Sequence, residues 1–450
     1  MRRCILLLGA PFLLILAGPC GAQETKSPEP RHITLDEAVQ LALKHNHVVR
    51  IAGYSVQEKE HTKDIARSAY FPLLRNDSNL AHLTDTQFIG IPAGGLGVVG
   101  GTPIPEQSTV LNQGDLTIIA SGTQLTQPLS GLWKVKSAND VASAALNEAR
   151  GKARQTGNEV VLKVHQIYYR LLILQSHKEA ALAKIQASEA LEAERVQQVK
   201  FGSTLEEEAI ESRAQSLESK HDLLTTDLQL SDLTMQLDDV IGLPLKTQLM
   251  LDASVRQVGN TCERDQCVRV ALESHPEIAE ARAKVEQASA AVRLAKRQYI
   301  PDIEAFARYS YQNNVPFLVH NFGTFGVHFG YDLFDGGRKN AAIAEHKAQL
   351  AQAEENLARV QEEVELRVQT AYNKVERTRQ MIKVSEQLVA LRTESHRNSA
   401  QQLQAGSALR SQVAAAAAHE LEAKTLFLQS QLEFAQANDE MTEAMGQAPD

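Results

Sequence analysis

Several features typical of enzymes and nucleic-acid-binding proteins are scarce in this chain of 450 residues. Aromatic residues make up 5% of it and tryptophan occurs once, which disfavours a thick globular core. The net charge of −9 provides no basic face for phosphate, so nucleic acid is excluded as a partner. Beyond the N-terminal region, no apolar run reaches the roughly 20 residues of a membrane-spanning helix. If this chain crosses a membrane, it must do so with β-strands.

Motifs for catalysis and metal binding are also missing from the sequence. It contains no His-Glu-x-x-His, no Gly-x-Ser-x-Gly and no Gly-x-x-x-x-Gly-Lys. Among the 14 histidines, His45 and His47 lie two residues apart on a predicted helix, a spacing that places them on different faces. The sequence therefore predicts no catalytic residue, no metal site and no cofactor, and an enzyme is the least favoured class.

The N-terminal residues have the pattern of an export signal. Met1-Arg2-Arg3 precedes an apolar stretch, and small residues follow at Cys20-Gly21-Ala22. This pattern predicts a signal peptide over 1–22 and a flexible N-terminus over 23–32. A lipid anchor on Cys20 is the alternative, although Pro19 stands where a small residue is expected.

Two cysteines, Cys262 and Cys267, lie outside this leader. In an exported chain, cysteines so close together are a candidate disulfide. A metal or redox site is the less favoured interpretation, because the sequence offers no further ligands near them.

The chain contains an internal repeat. Tyr70-Phe71-Pro72 recurs as Tyr299-Ile300-Pro301 at a separation of 229 residues, whereas Gly202 recurs as Gly406 at a separation of 204. The difference, 229 minus 204, predicts a 25-residue insertion between 72 and 127, where Gly and Pro are frequent and an exposed loop is expected. The repeat divides the chain into a first unit at 33–242, a linker at 243–262, a second unit at 263–446 and a tail at 447–450.

The sequence predicts the same order of elements in both units: a helix, two strands, a long helix, a hairpin tip and a returning helix. The predicted first helices span 36–70 and 264–299, and the predicted strands span about 73–88, 113–127, 302–312 and 322–334. The long helices span about 132–200 and 338–404, and the returning helices about 205–241 and 408–445. At 1.5 Å per residue, a helix of nearly 70 residues extends about 100 Å.

The long helices carry an apolar seam with a period of 3.5 residues, which is the coiled-coil value. In the first helix the seam consists of Leu146, Ala149, Ala153, Thr156, Val160, Val164, Ile167, Leu171 and Leu174. The positions 204 residues later are also mostly apolar. We interpret these residues as helix packing without a further role.

The last predicted strand alternates in polarity. Phe325, Val327 and Phe329 alternate with small or polar residues, which gives the strand one apolar face. This pattern fits a membrane barrel, with a soluble sandwich as the alternative. Four strands cannot close a barrel that encloses water, since about eight are needed, so the membrane interpretation requires an oligomer.

Three segments carry a resemblance to a known family: Ile33-Thr34-Leu35-Asp36-Glu37-Ala38, the helix-ending Tyr-Phe-Pro motif, and Asp332-Leu333-Phe334-Asp335-Gly336-Gly337-Arg338. With the duplicated order of elements, the chain from Ile33 to Gly446 resembles the TolC-like outer membrane efflux proteins of Gram-negative bacteria. The resemblance implies a mainly α fold with a small β part, in which a duplicated β-β-α unit provides long coiled-coil helices for an α-barrel. It also implies that four strands per chain form a 12-stranded outer-membrane β-barrel in a homotrimer.

The resemblance further implies a function. Such a chain is a passive exit duct that exports small molecules such as drugs or metals across the periplasm and the outer membrane. Its expected partners are outer-membrane lipid, a periplasmic adaptor (membrane fusion) protein and an inner-membrane transporter. Two alternatives remain open: the exit duct of a type I protein secretion system, and a structural coiled-coil protein of the envelope.

The hairpin tips are the expected functional site. The resemblance implies that they dock the adaptor, through Phe201, Gly202, Ser203, Leu205, Gly406, Ser407 and Leu409. Where the family often has aspartates near the second tip, this chain has Gln412 and Ala415. We therefore expect a periplasmic entrance gate made by Glu206, Glu207, Glu208 and Glu211, with Arg410 pairing with one of them in the closed state. The alternative is a solvated acidic run at a helix N-terminus, where negative charge is favourable.

Overall fold

The computed structural model describes residues 31–85, 88–112, 116–245, 247–253, 262–314 and 319–449. The predicted signal peptide and Cys20 lie outside these ranges. The helices are α1 Leu35–His45, α2 His47–Ser68, α3 Leu132–Lys200, α4 Glu206–Ile241, α5 Arg264–Ser274, α6 Pro276–Arg297, α7 Arg338–Gln404 and α8 Arg410–Ala444. The strands are β1 Arg31–Ile33, β2 Leu73–His82, β3 Phe88–Ile91, β4 Val98–Val99, β5 Thr102–Pro103, β6 Thr109–Asn112, β7 Thr117–Pro128, β8 Leu249–Leu251, β9 Asp302–Asn313 and β10 Asn321–Gly330.

The predicted class, a mainly α fold with a small β part, is confirmed. The long helices α3 and α7 have the predicted bounds and fold back onto α4 and α8 respectively. Helix α3 also packs against α2, α6 and α8, while α7 packs against α5 and α6. The elements of the first unit thus recur in the second in the same order.

The predicted seam lies where these helices pack. Leu146, Thr156 and all five seam positions from Val160 to Leu174 are buried in α3, and the equivalent α7 positions are buried from Val360 onward. The centre of the α3 seam belongs to an apolar cluster with Leu237 and Ile241 of α4. Fully burying one such side chain contributes about 1.5–3 kcal/mol, so the seam accounts for much of the association between the helices.

The predicted first helix of each unit is wrong in one respect, because each is broken into two. Asn46 separates α1 from α2 and His275 separates α5 from α6, both with extended backbone. The Asn46 side chain accepts a hydrogen bond from the Val48 N–H at 2.9 Å, and His275 Nδ1 accepts one from the Glu277 N–H at 3.2 Å. Each residue therefore caps the N-terminus of a new helix, satisfying a donor that a continuous helix would have used internally.

The four longer strands form one antiparallel sheet in the order β10-β9-β7-β2. Two predicted strands are too long, because β2 ends at His82 and β10 ends at Gly330. After β10 the chain turns, and the Asp335 carboxylate accepts hydrogen bonds from the Gly337 and Lys339 N–H groups. The predicted insertion is not a plain loop, since β3 pairs with β6 and β4 pairs with β5 in short exposed hairpins.

Two segments predicted as connections also contain strands. β1 begins inside the predicted flexible N-terminus, and β8 lies inside the predicted linker, and the two pair in parallel. The Tyr168 hydroxyl accepts a hydrogen bond from the Asp252 N–H at 2.8 Å and lies 3.1 Å from the Ile33 carbonyl. Tyr168 thereby fixes this small sheet to α3, and burial raises its pKa to about 12. At the start of the second unit, Cys262 and Cys267 are joined by a disulfide.

Candidate functional site

The two hairpin tips have the same backbone geometry. Gly202 and Gly406 follow the long helices with φ angles of +68° and +75°, a region that favours glycine. One residue later, the Ser203 N–H donates to the Gln198 carbonyl and the Ser407 N–H donates to the Gln402 carbonyl, both at 2.9 Å. These bonds close the ends of α3 and α7 and set the direction in which α4 and α8 return.

The residues predicted to dock an adaptor fall into two groups. The glycines and serines build the turn itself, and the Ser203 and Ser407 hydroxyls bond to the same carbonyls as their N–H groups. Phe201, Leu205 and Leu409 are apolar and are 82%, 70% and 48% exposed. Exposed apolar side chains at the tip of a hairpin are suited to contact with another protein.

The two tips lie side by side within one chain. The Ser411 hydroxyl, at the start of α8, donates a hydrogen bond to the Glu194 carboxylate near the end of α3. Gln412, which stands where the family often has an aspartate, accepts the Leu409 N–H through its side chain at 3.1 Å. Gln412 therefore caps α8 rather than contributing charge.

The four predicted gate glutamates are exposed on the first turns of α4. Glu208 forms an ion pair with Arg195 of α3 at 2.9 Å, a partner that the sequence alone did not suggest. In the part of the chain that the structure describes, Glu206, Glu207 and Glu211 form no ion pair. Arg410 begins α8, and among the described residues it forms no ion pair with any of the four.

A groove of about 250 Å³ lies between the two hairpins, close to the tips. Helix α3 contributes Lys184, Ala187, Ser188 and Leu191 to it, α4 contributes Gln215 and Ser219, and α8 contributes Ser411, Gln412, Ala415, Ala418, His419 and Glu422. Half of these twelve residues are alanine or serine, which leaves room for side chains from another helix to enter. Sequence analysis did not predict this groove, because it depends on how α4 and α8 are placed around α3.

Helix α4 carries an apolar row that nothing in the described chain covers. Ile210, Leu217, Leu224, Leu228 and Met235 are all between 41% and 68% exposed. Their separations of seven and four residues place them on one face of the helix. We call these five residues the α4 seam. Its heptad spacing is present in the sequence, although the sequence analysis did not predict an exposed seam here.

The opposite face of α4 packs against α3 through small residues. Ser212, Ser216 and Ser219 are buried there, and the hydroxyls of Ser212 and Ser219 bond to carbonyls of their own helix. This packing places the α4 seam on the outside of the hairpin.

The two faces of the four-stranded sheet differ in polarity. On one face, Phe325, Val327 and Phe329 are 88%, 63% and 63% exposed, and β9 places small or apolar residues opposite them. The other face is a concave wall lined mostly by polar residues, including Gln124, Thr126, Glu304, Arg308, Ser310, Gln312, Thr324 and His328. This apolar area covers the β9–β10 half of the face, whereas on the β2–β7 half Asn76, Ser78, Ser121 and Thr123 form a hydrogen-bonded polar group. The apolar half is suited to contact with an apolar partner.

None of the helices that the structure describes is both long enough and apolar enough to cross a membrane. Within the described ranges, no group of three or more His, Cys, Asp or Glu side chains could hold a metal ion.

Comparison with known proteins identifies the fold. Residues 267–447 match the family model described as outer membrane efflux protein. No curated protein matches the chain by sequence.

Among solved structures, the chain is similar to the CmeC outer membrane channel of Campylobacter jejuni, with 14% identity, a TM-score of 0.73 and coverage of 92% of this chain and 85% of that one. The chain is similarly related to the outer membrane protein VceC of Vibrio cholerae, with 15% identity, a TM-score of 0.72 and coverage of 92% of this chain and 97% of that one. For the open state of the MtrE outer membrane channel of Neisseria gonorrhoeae, the identity is 14%, the TM-score is 0.70, and coverage is 92% of this chain and 89% of that one. The resemblance to the TolC-like outer membrane efflux proteins is thereby confirmed: residues 267–447 match the outer membrane efflux protein model, and 92% of the chain shares the fold of these channels.

Proposed function

We propose that this chain forms a passive trimeric exit duct in the outer membrane, through which a tripartite system exports small molecules. The observation that carries the proposal is the four-stranded sheet, with one mostly polar face and one exposed face that is apolar along β9 and β10. Within the described residues, its edge strands β2 and β10 each pair with a neighbour on one side only. Three such sheets, joined edge to edge, would form a 12-stranded barrel with the apolar face toward lipid and the polar face toward the lumen.

The α4 seam supports the oligomer independently of the sheet. A row of apolar residues at heptad spacing is stabilised by a second helix that packs along it. In a ring of three chains, that helix belongs to the neighbouring chain. The same assembly would join the helical hairpins into one tunnel beneath the barrel, about 100 Å long from the helix rise alone.

The proposed entrance lies at the hairpin tips. Three chains would contribute three copies each of Glu206, Glu207, Glu208 and Glu211, of which Glu208 is already paired with Arg195. The exposed tip residues and the groove between the hairpins are the proposed docking surface for a periplasmic adaptor. The adaptor would connect the duct to an inner-membrane transporter, which provides the energy. The match to efflux proteins favours small-molecule cargo over secreted proteins.

Conductance in planar bilayers tests the duct and its gate together. The purified chain should form water-filled channels that prefer cations and are blocked by multivalent cations from the tip side. The triple variant Glu206→Gln, Glu207→Gln, Glu211→Gln should lose most of this preference and block. Glu218→Gln, which changes an exposed glutamate two turns further along α4, is the matched control and should conduct like the natural chain.

The outcomes separate two failures. Absence of any conductance, in a preparation that retains its helical circular dichroism, would reject the duct. Unchanged ion preference and block in the triple variant would reject only the gate, and leave these glutamates as a solvated start to α4.

A further inference from the structure

His275 occupies an unusual position for a titratable side chain. It caps the N-terminus of α6 and is 2% exposed. Because Nδ1 accepts the Glu277 N–H, the proton of the neutral ring must lie on Nε2. Nε2 is itself buried and makes no hydrogen bond of good geometry among the described residues, although the Glu443 backbone lies close enough to favour the protonated ring. The ring is thus held in one neutral tautomer, and a second proton would have to enter at Nδ1, where the Glu277 N–H already donates.

The internal repeat provides a comparison within the same chain. The position 229 residues earlier is Asn46, which caps α2 in the same way. The Asn46 side chain accepts the Val48 N–H and also donates to the Val240 carbonyl at 3.1 Å. Asn46 therefore satisfies both of its polar groups and does not titrate, whereas His275 performs the same capping with a group that can be protonated.

The end of the second unit packs directly on His275. Gly446, just after α8, has a φ angle of +81°, and a Cβ at this position would lie 2.6 Å from the His275 Cα. The Gly446 carbonyl is in turn bound by Arg154 of α3 at 3.3 Å and by Asn158 at 3.4 Å. His275 therefore lies at the junction of α3, α6 and α8.

Charged groups from four helices face this junction. Arg367 of α7 binds both oxygens of Glu277 at 2.9 Å. Arg154 comes from α3, and the Glu443 carboxylate of α8 lies close to Arg367 and Glu277. Burial lowers the pKa of His275 below its ordinary value of 6.5, and Arg367 and Arg154 add to this. The Glu277 carboxylate and a hydrogen bond to the Glu443 backbone oppose it.

We infer that His275 is an acid-sensitive cap, whose protonation detaches α6 from its N-terminal partner and loosens the junction with the end of α8. A proton on Nδ1 would point at the Glu277 N–H, so the capping bond would be replaced by a clash of two donors. The first unit keeps its Asn46 cap at all pH values, so acid would act on one half of the repeat only. The inference concerns the chain itself and does not depend on the proposed transport function.

The direction of the pH effect follows from the lowered pKa. The unfolded chain takes up a proton as the pH falls through about 6.5, whereas the folded chain does so only at lower pH. Stability from the neutral His275 is therefore complete above pH 6.5 and is lost as the pH falls from 6.5 toward the lower folded pKa.

Hydrogen exchange measured by mass spectrometry on the full chain tests this inference. Peptides covering 272–284 and their repeat equivalents at 43–55 are compared at pH 7.5 and pH 5.0, after correction for intrinsic exchange rates. Protection in the 272–284 peptide should fall at least about threefold in acid, because the protonated fraction of histidine rises steeply over this range. The 43–55 peptide should keep its protection. If both peptides of the natural chain lost the same protection in acid, that result alone would overturn the inference.

The variant His275→Asn is the matched control, since it installs the residue that the fold already uses at position 46. It should retain the cap and show no acid-dependent loss in the 272–284 peptide. An equal loss of protection in His275→Asn would assign the pH effect to Glu443 or another group and would reject His275 as its source.

Discussion

Replacing Leu217 and Leu224 with asparagine should prevent assembly without unfolding the chain. Both side chains belong to the α4 seam and are 60% and 68% exposed in the single chain, so the fold does not depend on them. Burying the remaining apolar surface of one leucine contributes about 1–2 kcal/mol, and two leucines at one interface about 2–4 kcal/mol. Since 1.4 kcal/mol corresponds to a factor of ten, each interface should weaken about 30- to 700-fold.

The assay is the mass of the detergent-extracted protein, measured by light scattering over a series of dilutions. The double variant should dissociate at concentrations where the natural chain remains a trimer, while its helical circular dichroism stays the same. Gln229→Asn, a change at an exposed polar position of the same helix, should assemble normally. If the double variant stays as tightly assembled as the natural chain, the α4 seam is not an interface between copies.

Three further predictions concern stability. Tyr168→Phe should lower the free energy of unfolding by about 1–3 kcal/mol, because the β1–β8 sheet loses its hydrogen bonds to α3; an unchanged denaturant midpoint would contradict this. Arg367→Met should lower the free energy of unfolding by about 2 kcal/mol, because the largely buried Glu277 carboxylate loses its cation. A variant more stable than the natural chain would refute this reasoning. The Glu420 carboxylate has a pKa lowered to about 2, first by Lys424. The contribution of Glu420 to the free energy of unfolding is therefore present above about pH 4.5 and is lost as the pH falls from about 4.5 to about 2. In Glu420→Gln the free energy of unfolding should depend less on pH in that window. An equal dependence in the variant and the natural chain would contradict this.

Much of the fold was predictable because its main signals are local and repeated. Gly202 and Gly406 mark the ends of α3 and α7, and the 3.5-residue period between 146 and 174 identifies the buried side of α3. The breaks at Asn46 and His275 were missed, since the apolar periodicity continues across them and a single polar cap interrupts it only slightly. Pro276, directly after His275, was the one available signal of a helix start.

The candidate site was less predictable, for a physical reason. The turn residues of the tips could be predicted from the sequence, because a glycine that ends a helix with a left-handed backbone does so through local geometry and does not depend on contacts with distant residues. The groove between the hairpins and the pairing of Glu208 with Arg195 depend on the packing of α3 with α4 and α8, which a linear pattern does not specify. The β1–β8 pair likewise joins segments more than 200 residues apart through three residues each, too short to produce an alternating pattern.

The most direct test of the duct is electron microscopy of the detergent-extracted chain together with the mass of the same particles. The proposal predicts particles of three chains that appear as hollow tubes on the order of 100 Å or longer, as the helix rise requires. Monomers that stay in solution without detergent, or solid rods without a lumen, would contradict it and would favour a structural protein of the envelope.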